Sequence, residues 1–400
     1  MNESLKQEIL KMASSLHQET IQNRQHLHQF PELSFQEFET AHYVESKLKE
    51  IGFTDIHRIA NTGVVALLKA YQAGEKVIGL RADLDALPIQ ETSDIAYASK
   101  NNGVMHACGH DVHTSILLTA AKILFDLKDQ IQGNVKFIFQ PGEELLPGGA
   151  SVLIKEGVLT HPNVDYLIAQ HVTPQISAGK IGFKKGLFMA STDEIYIKVK
   201  GKGGHAAMPN TYINPLLIAS SIISKLHEFF MIDKIENSNQ IPTVLAFGKI
   251  EGHGATNVIP DIVSLAGTFR TLDEKWRKKC HSMMEDLVQE VAAAFGGQCE
   301  IEIRGGYPCL VNDVEITQKC INSAESIIGK ENIIALDYRM TAEDFAYFSQ
   351  VKPVCFYRLG TGNPEKNTEF NVHTSNFNVD EDVLSYAPAI LACMAINLMN

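Results

Sequence analysis

The sequence lacks a CxxC pair, a basic cluster, a low-complexity stretch and an internal repeat, and each absence removes a class of protein. Its seven cysteines (Cys108, Cys280, Cys299, Cys309, Cys320, Cys355 and Cys393) are odd in number and thinly scattered over 400 residues, which argues against a disulfide framework or a zinc ribbon. Lys and Arg total 35 against 47 Asp and Glu, a net charge of −12, so no nucleic-acid-binding face is expected. The opening MNESLKQEIL has neither a basic n-region nor an apolar core and does not read as a signal peptide. No charged residue follows Val383, yet Ser385, Pro388 and Asn397 interrupt a run already short for a bilayer span. A buried closing helix is expected there rather than a membrane anchor, and a cytoplasmic location follows as the default.

What the sequence does hold is an ordinary globular composition, 45% hydrophobic and 20% charged, in a chain longer than one core usually accommodates. Two domains are expected. Runs at Val64–Leu68, Val77–Leu80, Val135–Phe139 and Tyr166–Ala169 read as strands, and Thr114–Leu127 carries apolar residues at helical spacing. This alternation implies an α/β layer with a largely parallel sheet, whose ligands sit beyond the carboxyl ends of the strands. Asp83, Glu143, Glu144 and His171 fall there. The pattern changes near Gly182. Strands at Glu194–Lys200, Val244–Ile250, Ile262–Phe269 and Cys299–Arg304, with helices at Asn214–Phe230 and Asp273–Phe295, give the ferredoxin-like order β-α-β-β-α-β. From about Gly305 the chain returns to helix, strand (Val354–Leu359) and closing helix. A small α+β domain, 183–305, is therefore expected inside an α/β domain formed by 1–182 and 306–400.

The densest chemical signal is MHACGHDVH, where three imidazoles and the Cys108 thiol lie between His106 and His113 beside a helix start. It reads as a metal site, or as a polar loop with a helix cap at Asp111 or Thr114. Thiolate and imidazole suit zinc, and added carboxylates admit manganese or cobalt. The second signal is QPGEE, directly after the strand Val135–Phe139. Adjacent side chains diverge, so one carboxylate can bind metal while its neighbour points at substrate. Hydrolysis needs that division: a metal to acidify water and a base to take its proton. The same turn could also be solvated surface. His171 at a strand end, His373 in NVHT, and Asp83 and Asp85 in RADLDALP complete a plausible set, although a lone His is more often structural.

Together, RADLDALPI, HACGHDVH, QPGEE, His171 and NVHT resemble the M20 metallopeptidase clan. The similarity is strongest to its amidohydrolases that split N-acyl amino acids, such as hippurate hydrolases, auxin-conjugate hydrolases and acetyldiaminopimelate deacetylases. LHQFPELSFQEFET, GKGGHAAMP, GATNVIPD, GTFRT and TAEDFAYF add to it in the family's order, so it covers nearly the whole chain. Each motif is weak alone; their joint occurrence is specific.

The resemblance implies a zinc-peptidase-like α/β catalytic domain with an inserted ferredoxin-like lid; lid-mediated dimers occur in the family, so a homodimer through that lid and a monomer both stay open. It implies two divalent metal ions per chain (Mn, Zn, Co or Ni). Cys108 would bridge or cap them as thiolate, with His110, Glu144, His171 and His373 as the remaining ligands. Glu143 matches the general acid/base. Asp85 matches a residue that supports a metal-binding His, whereas Asp83 stands where the wider clan has that His and is left unassigned. His113 is expected to be structural. From the lid, His205, Asn257 and Arg270 match residues that approach the substrate: His205 for the oxyanion, Arg270 and Asn257 for the carboxylate of an N-acyl amino acid. Read without the family, the three are a glycine-turn His, a turn Asn and a solvent-facing strand-end Arg. Two rival readings remain. A metal-independent Cys108 nucleophile with His106 or His110 as base would leave Glu143, Glu144 and His171 idle. A non-catalytic binding protein on the same fold would show degenerate ligands, and here the set is complete.

Overall fold

β-branched and aromatic runs bounded by turns set the frame of the chain, seen here in a computed structural model that describes residues 1–70, 72–236 and 241–399. Helix α1 (Glu3–Gln29) starts at Asn2, whose side chain accepts the Leu5 N–H at 2.8 Å. Helix α2 (Phe38–Ile51) stops at Gly52, which takes the left-handed conformation. There follow β1 (Ile56–Ile59), β2 (Gly63–Lys69), β3 (Gln72–Asp83), α3 (His110–Asp126), β4 (Gln132–Gln140), β5 (Tyr166–Ser177) and β6 (Ile181–Phe183). Next come β7 (Asp193–Lys200), α4 (Pro215–Glu236), β8 (Thr243–Glu251), β9 (Ile262–Thr271), α5 (Glu274–Ala294) and β10 (Gln298–Gly305). The chain closes with α6 (Val314–Ile328), β11 (Ile333–Ala335), β12 (Val354–Gly362) and α7 (Ala387–Met399). It divides into two units, one of Met1–Gly186, Val311–Asp337 and Tyr347–Asn400, the other of Leu187–Leu310 and Tyr338–Ala346.

In the first unit an eight-stranded sheet has the order β1-β2-β4-β3-β5-β12-β6-β11. Its central strands β4, β3, β5 and β12 run parallel, while β1, β2 and β6 pair antiparallel with their inner neighbours. The sheet is thus mixed rather than largely parallel. The strand patterns carry no direction, and at the β1–β2 edge a tight turn suffices where a parallel pair would need a crossover. The register pairs Asp83 with Gln140 and Arg81 with Ala169, so the ends of β3 and β4 lie level with His171 on β5. Buried Val112, Ile116, Leu117, Ala120, Ile123 and Leu124 fix α3 in a core shared with α7 and the sheet. Each of these side chains except Ala120 contributes roughly 1.5–3 kcal/mol of burial, which makes α3 a firm base for the residues at its start.

Helix α7 is buried along nearly its whole length and packs on α3 and α6. At 13 residues it spans about 20 Å, and no helix among the described residues is long and apolar enough to cross a membrane. Helix α1 was not specified by the sequence pattern. Its buried face includes Thr20, Asn23, Arg24 and His28 beside Leu5, Ile9 and Ala13, so its apolar stripe is broken.

The second unit has the antiparallel order β8-β9-β7-β10, the ferredoxin-like arrangement, with Ile195, Ile197 and Val199 of β7 in one core with Ile218, Ile222 and Leu226 of α4 and Met284, Val288 and Val291 of α5. The expected 183–305 boundary omits Tyr338–Ala346. That segment belongs to this unit through backbone hydrogen bonds, Arg339 N–H to Phe188 O (2.8 Å) and Ala190 N–H to Arg339 O (3.0 Å), which no periodic pattern announces.

Candidate active site

The site forms where β3 and β4 end and α3 begins, beside His171, which lies in the middle of β5 rather than at the strand end expected, because β5 continues through less apolar residues to Ser177. Helix α3 starts at His110, four residues before the expected Thr114, because Gly109 takes a left-handed φ of 86° at its N-cap. A Cβ there would lie 2.4 Å from Val172 Cγ2, so only glycine lets the HACGHD loop pack against β5.

His110 Nδ1 lies 2.8 Å from the Asp85 carbonyl oxygen and 3.2 Å from Asp85 Oδ1, both of which can only accept. One ring proton is thereby fixed on Nδ1, and the buried Nε2, which has no hydrogen-bond partner, is the nitrogen left to face an ion. Burial opposes a charge on this ring, but Asp83, Asp85 and Glu144 outweigh it and push the pKa up to about 10, so the metal-free ring holds a second proton on Nε2 that an ion binding there would displace. His171 is held in the same way, Nδ1 donating to the Val172 carbonyl at 2.7 Å while Nε2 lies 3.3 Å from Cys108 Sγ. Burial, with Arg358 nearby, holds the His171 pKa well below the usual range, so the ring is neutral. The Cys108 thiol is pushed well above its usual range by burial and by Glu144 and Glu143.

His373 sits at a φ of 65°, pinned by its N–H to the Ala107 carbonyl at 2.7 Å, and its Nε2 lies 3.0 Å from Glu144 Oε1. That oxygen is buried and makes no hydrogen bond. Ligand atoms of Cys108, His110 and His171 lie within 4.8 Å of one another, as do those of Cys108, Glu144 and His373, and those of His110, Glu143 and Glu144. Cys108 is common to the first two groups. Orphaned Nε2 and carboxylate lone pairs converging on one thiol fit divalent ions of the borderline class, with thiolate, imidazole and carboxylate donors.

Asp85 is buried and ties this set together. Its Oδ1 faces His110, and its Oδ2 accepts from Ser34 Oγ–H (2.6 Å) and from the Glu144 N–H (2.9 Å). Burial raises its pKa less than the His110 hydrogen bond and charge lower it, so it stays ionised. Asp83 binds Arg81 Nη1 at 2.7 Å and His113 Nδ1 at 2.6 Å. His113 Nε2 accepts the Val172 N–H at 2.9 Å, so both ring nitrogens are engaged and the group of Asp83, His110 and His113 is an ion-pair network rather than a donor set. His106 is buried with neither ring nitrogen hydrogen-bonded, and burial takes its pKa down to about 4. A nucleophilic Cys108 needs a lowered pKa and a base. Its thiol instead sits among carboxylates, and the imidazole within hydrogen-bond distance of it is His171 (3.3 Å) rather than either of the expected bases.

All seven first-unit residues singled out in the sequence (Asp85, Cys108, His110, Glu143, Glu144, His171 and His373) are within this constellation. The three from the second unit split. The backbone pairs His205 with Val258, and Ala206 N–H donates to Asn257 O at 3.0 Å, so His205 and Asn257 are neighbours and both are exposed. Arg270 lies at the far end of β9 with Nη1 on the Met340 carbonyl at 3.0 Å. From Ile262 to Arg270 an extended strand covers about 26 Å. One chain's copies of the three therefore do not form a single cluster. Ser34 and Glu37, beneath the QPGEE turn, were missed as individual residues, although LHQFPELSFQEFET contains both.

The model of the family described as Peptidase family M20/M25/M40 matches residues 79–397. The chain belongs to that family. Among M20 relatives, it is 40% identical over 309 residues to an N-acyl-L-amino acid amidohydrolase of Geobacillus stearothermophilus, covering 77% of this chain and 81% of that one. It is 36% identical over 388 residues to thermostable carboxypeptidase 2 of Saccharolobus solfataricus, covering 95% of each. The crystal structure of the Bacillus subtilis YXEP protein, described as a dinuclear metal-binding peptidase of family M20, superposes with a TM-score of 0.83 at 32% identity, over 96% of this chain and 99% of that one.

Proposed function

We propose that this M20 protein hydrolyses the amide bond of N-acyl amino acids, using two divalent ions held by Cys108, His110, Glu144, His171 and His373. The observation that carries the reading is the position of Cys108, whose sulfur belongs to one donor group with His110 and His171 and to another with Glu144 and His373. Manganese, zinc, cobalt and nickel all accept this donor mixture. Bound there, such ions supply Lewis acidity for activating water and the scissile carbonyl.

The chain's own residues do the rest. Glu143 takes the proton of the attacking water and returns it to the leaving nitrogen, so that hydroxyl ends on the acyl carbon and hydrogen on the amine. Asp85 keeps the His110 lone pair directed inward and the Glu144 backbone in place. His205 donates to the developing oxyanion, and Arg270 with Asn257 reads the carboxylate. An N-acyl-L-amino acid amidohydrolase and a carboxypeptidase, the names of the two relatives above, share that recognition problem: the amide nitrogen belongs to an amino acid with a free carboxylate.

The separation of Arg270 from His205 and Asn257 along β9 favours a homodimer in which the second unit, acting as lid and dimerisation domain, serves both copies. The nine-residue edge strand β8, with exposed Val244 and Ile250, offers a surface for it. A cytoplasmic setting agrees with seven free cysteines.

The test is metal stoichiometry by mass spectrometry after loading with manganese or zinc and desalting, with hydrolysis of N-acetyl and N-benzoyl amino acids followed with and without chelator. About two ions per chain and chelator-sensitive release of amino acid are expected. Glu143→Gln keeps the ions and loses about 10²-fold or more of kcat. Hydrolysis that survives chelation in metal-free protein overturns the reading in favour of the Cys108 nucleophile.

A further inference from the structure

The segment Leu33–Glu37 takes no part in the chemistry above, yet it touches the backbone that carries it. Glu37 is the N-cap residue of α2, a position normally filled by a short side chain that caps the helix. Its side chain makes no such bond. It is fully buried and turned the other way, where Oε1 accepts the N–H of Phe35 (2.8 Å) and of Gly142 (2.8 Å), and Oε2 accepts from Thr62 Oγ–H (2.6 Å). Gly142 immediately precedes Glu143.

Two further contacts act on the same turn. Gly142 has a φ of 59°, and a Cβ on it would lie 2.5 Å from Phe35 Cζ, so the Phe35 ring packs directly against its backbone. Phe35 itself is held at a φ of 63°, a strained conformation for an aromatic residue. One residue earlier, Ser34 donates to Asp85, the carboxylate that also accepts the Glu144 N–H. A buried carboxylate and a strained aromatic are both costly, and both contact the same peptide. Burial also takes the Glu37 pKa up to about 7, as expected of a carboxyl held in a dry place for its hydrogen bonds.

We infer that Glu37 is a positioning residue for the proton-transfer carboxylate: through the Gly142 N–H it fixes the peptide from which Glu143 and Glu144 diverge. The inference rests on the proposed role of Glu143, and it is a matter of reach rather than of charge. Glu37→Asp keeps the charge but withdraws it by one methylene from Gly142. Glu37→Gln keeps the reach, its oxygen accepting from Gly142 and its amide donating to the Thr62 hydroxyl.

The experiment measures wild type and both variants three ways: kcat and KM on an N-acyl amino acid, manganese content, and hydrogen exchange of the peptide covering residues 140–146 by mass spectrometry. Glu37→Asp is expected to lower kcat by about tenfold to a hundredfold with KM and manganese content little changed. Exchange within 140–146 should rise about tenfold in the same variant while the rest of the chain keeps its protection. Glu37→Gln should restore kcat to within a few-fold of wild type and restore the protection. Equal losses in both variants, a change confined to KM, or unchanged exchange in Glu37→Asp overturns the inference. The exchange readout needs no turnover, so an inactive wild type with the expected exchange pattern refutes the amidohydrolase reading while leaving the Glu37 tether standing.

Discussion

Replacing Asp85 by Asn changes one atom and tests how the centre is supported. The side chain meets three donors, His110 Nδ1–H at 3.2 Å on Oδ1 and Ser34 Oγ–H and Glu144 N–H at 2.6 and 2.9 Å on Oδ2. An amide has one oxygen, and placing it where Oδ2 stands satisfies two of the three. Its NH2 then faces the His110 N–H, donor against donor. His110 keeps its tautomer because the Asp85 carbonyl still accepts from Nδ1 at 2.8 Å, so the Nε2 lone pair survives while the ring loses a charged partner that makes it more basic. A charge-assisted hydrogen bond is worth about 1.5–3 kcal/mol, and this one is long and shared with a carbonyl, which favours the lower part of the range. Asp85→Asn should therefore weaken metal binding by about tenfold to a hundredfold, or roughly 1.4–2.7 kcal/mol. Competition of zinc or manganese against a chromophoric chelator at fixed pH measures this, with thermal unfolding of the metal-free protein as the control for folding. An affinity within threefold of wild type refutes the role assigned to Asp85.

Arg270→Ala should chiefly raise KM for substrates with a free carboxylate, and an equal penalty on carboxyl-blocked esters would remove Arg270 from carboxylate recognition. Glu37 gives the metal-free protein a pH signature. Its folded pKa of about 7 exceeds the ordinary 4.5, so the folded state holds the proton more tightly and stability falls as pH rises from about 4.5 to 7, by about 3 kcal/mol in all. Urea unfolding at pH 5 and pH 8 should show that slope reduced in Glu37→Gln, and identical slopes would refute the burial argument.

Much of the site was legible because its residues sit where the strand pattern ends. Gln140 closes β4 three residues before Glu143, His171 lies level with Asp83 across the parallel β3–β5 pair, and the HACGHD loop leads into α3. Side-chain direction was not legible. Nothing in MHACGHDVH tells that His113 is spent on Asp83 and Val172, or that the imidazole beside Cys108 comes from 63 residues downstream. Distance was equally hidden in the second unit, where Asn257 and Arg270 are close in sequence but an extended β9 carries them apart. Helix α1 escaped because it buries Arg24 and His28 against Asp111, Arg24 Nε and His28 Nδ1 both 2.9 Å from Oδ2, and charged residues on an inward face erase the apolar period.

The sulfur common to two donor groups has a thermodynamic consequence. In the proposed centre a buried thiol surrounded by carboxylates resists ionisation, so the first ion to engage Cys108 would displace its proton and bear that whole cost. A second ion then meets a thiolate already formed. Occupancy of a centre built this way is cooperative with respect to deprotonation and antagonistic with respect to charge, and the balance between the two sets whether singly loaded molecules accumulate. Alkylation or oxidation at that one atom would then disable both proposed positions together.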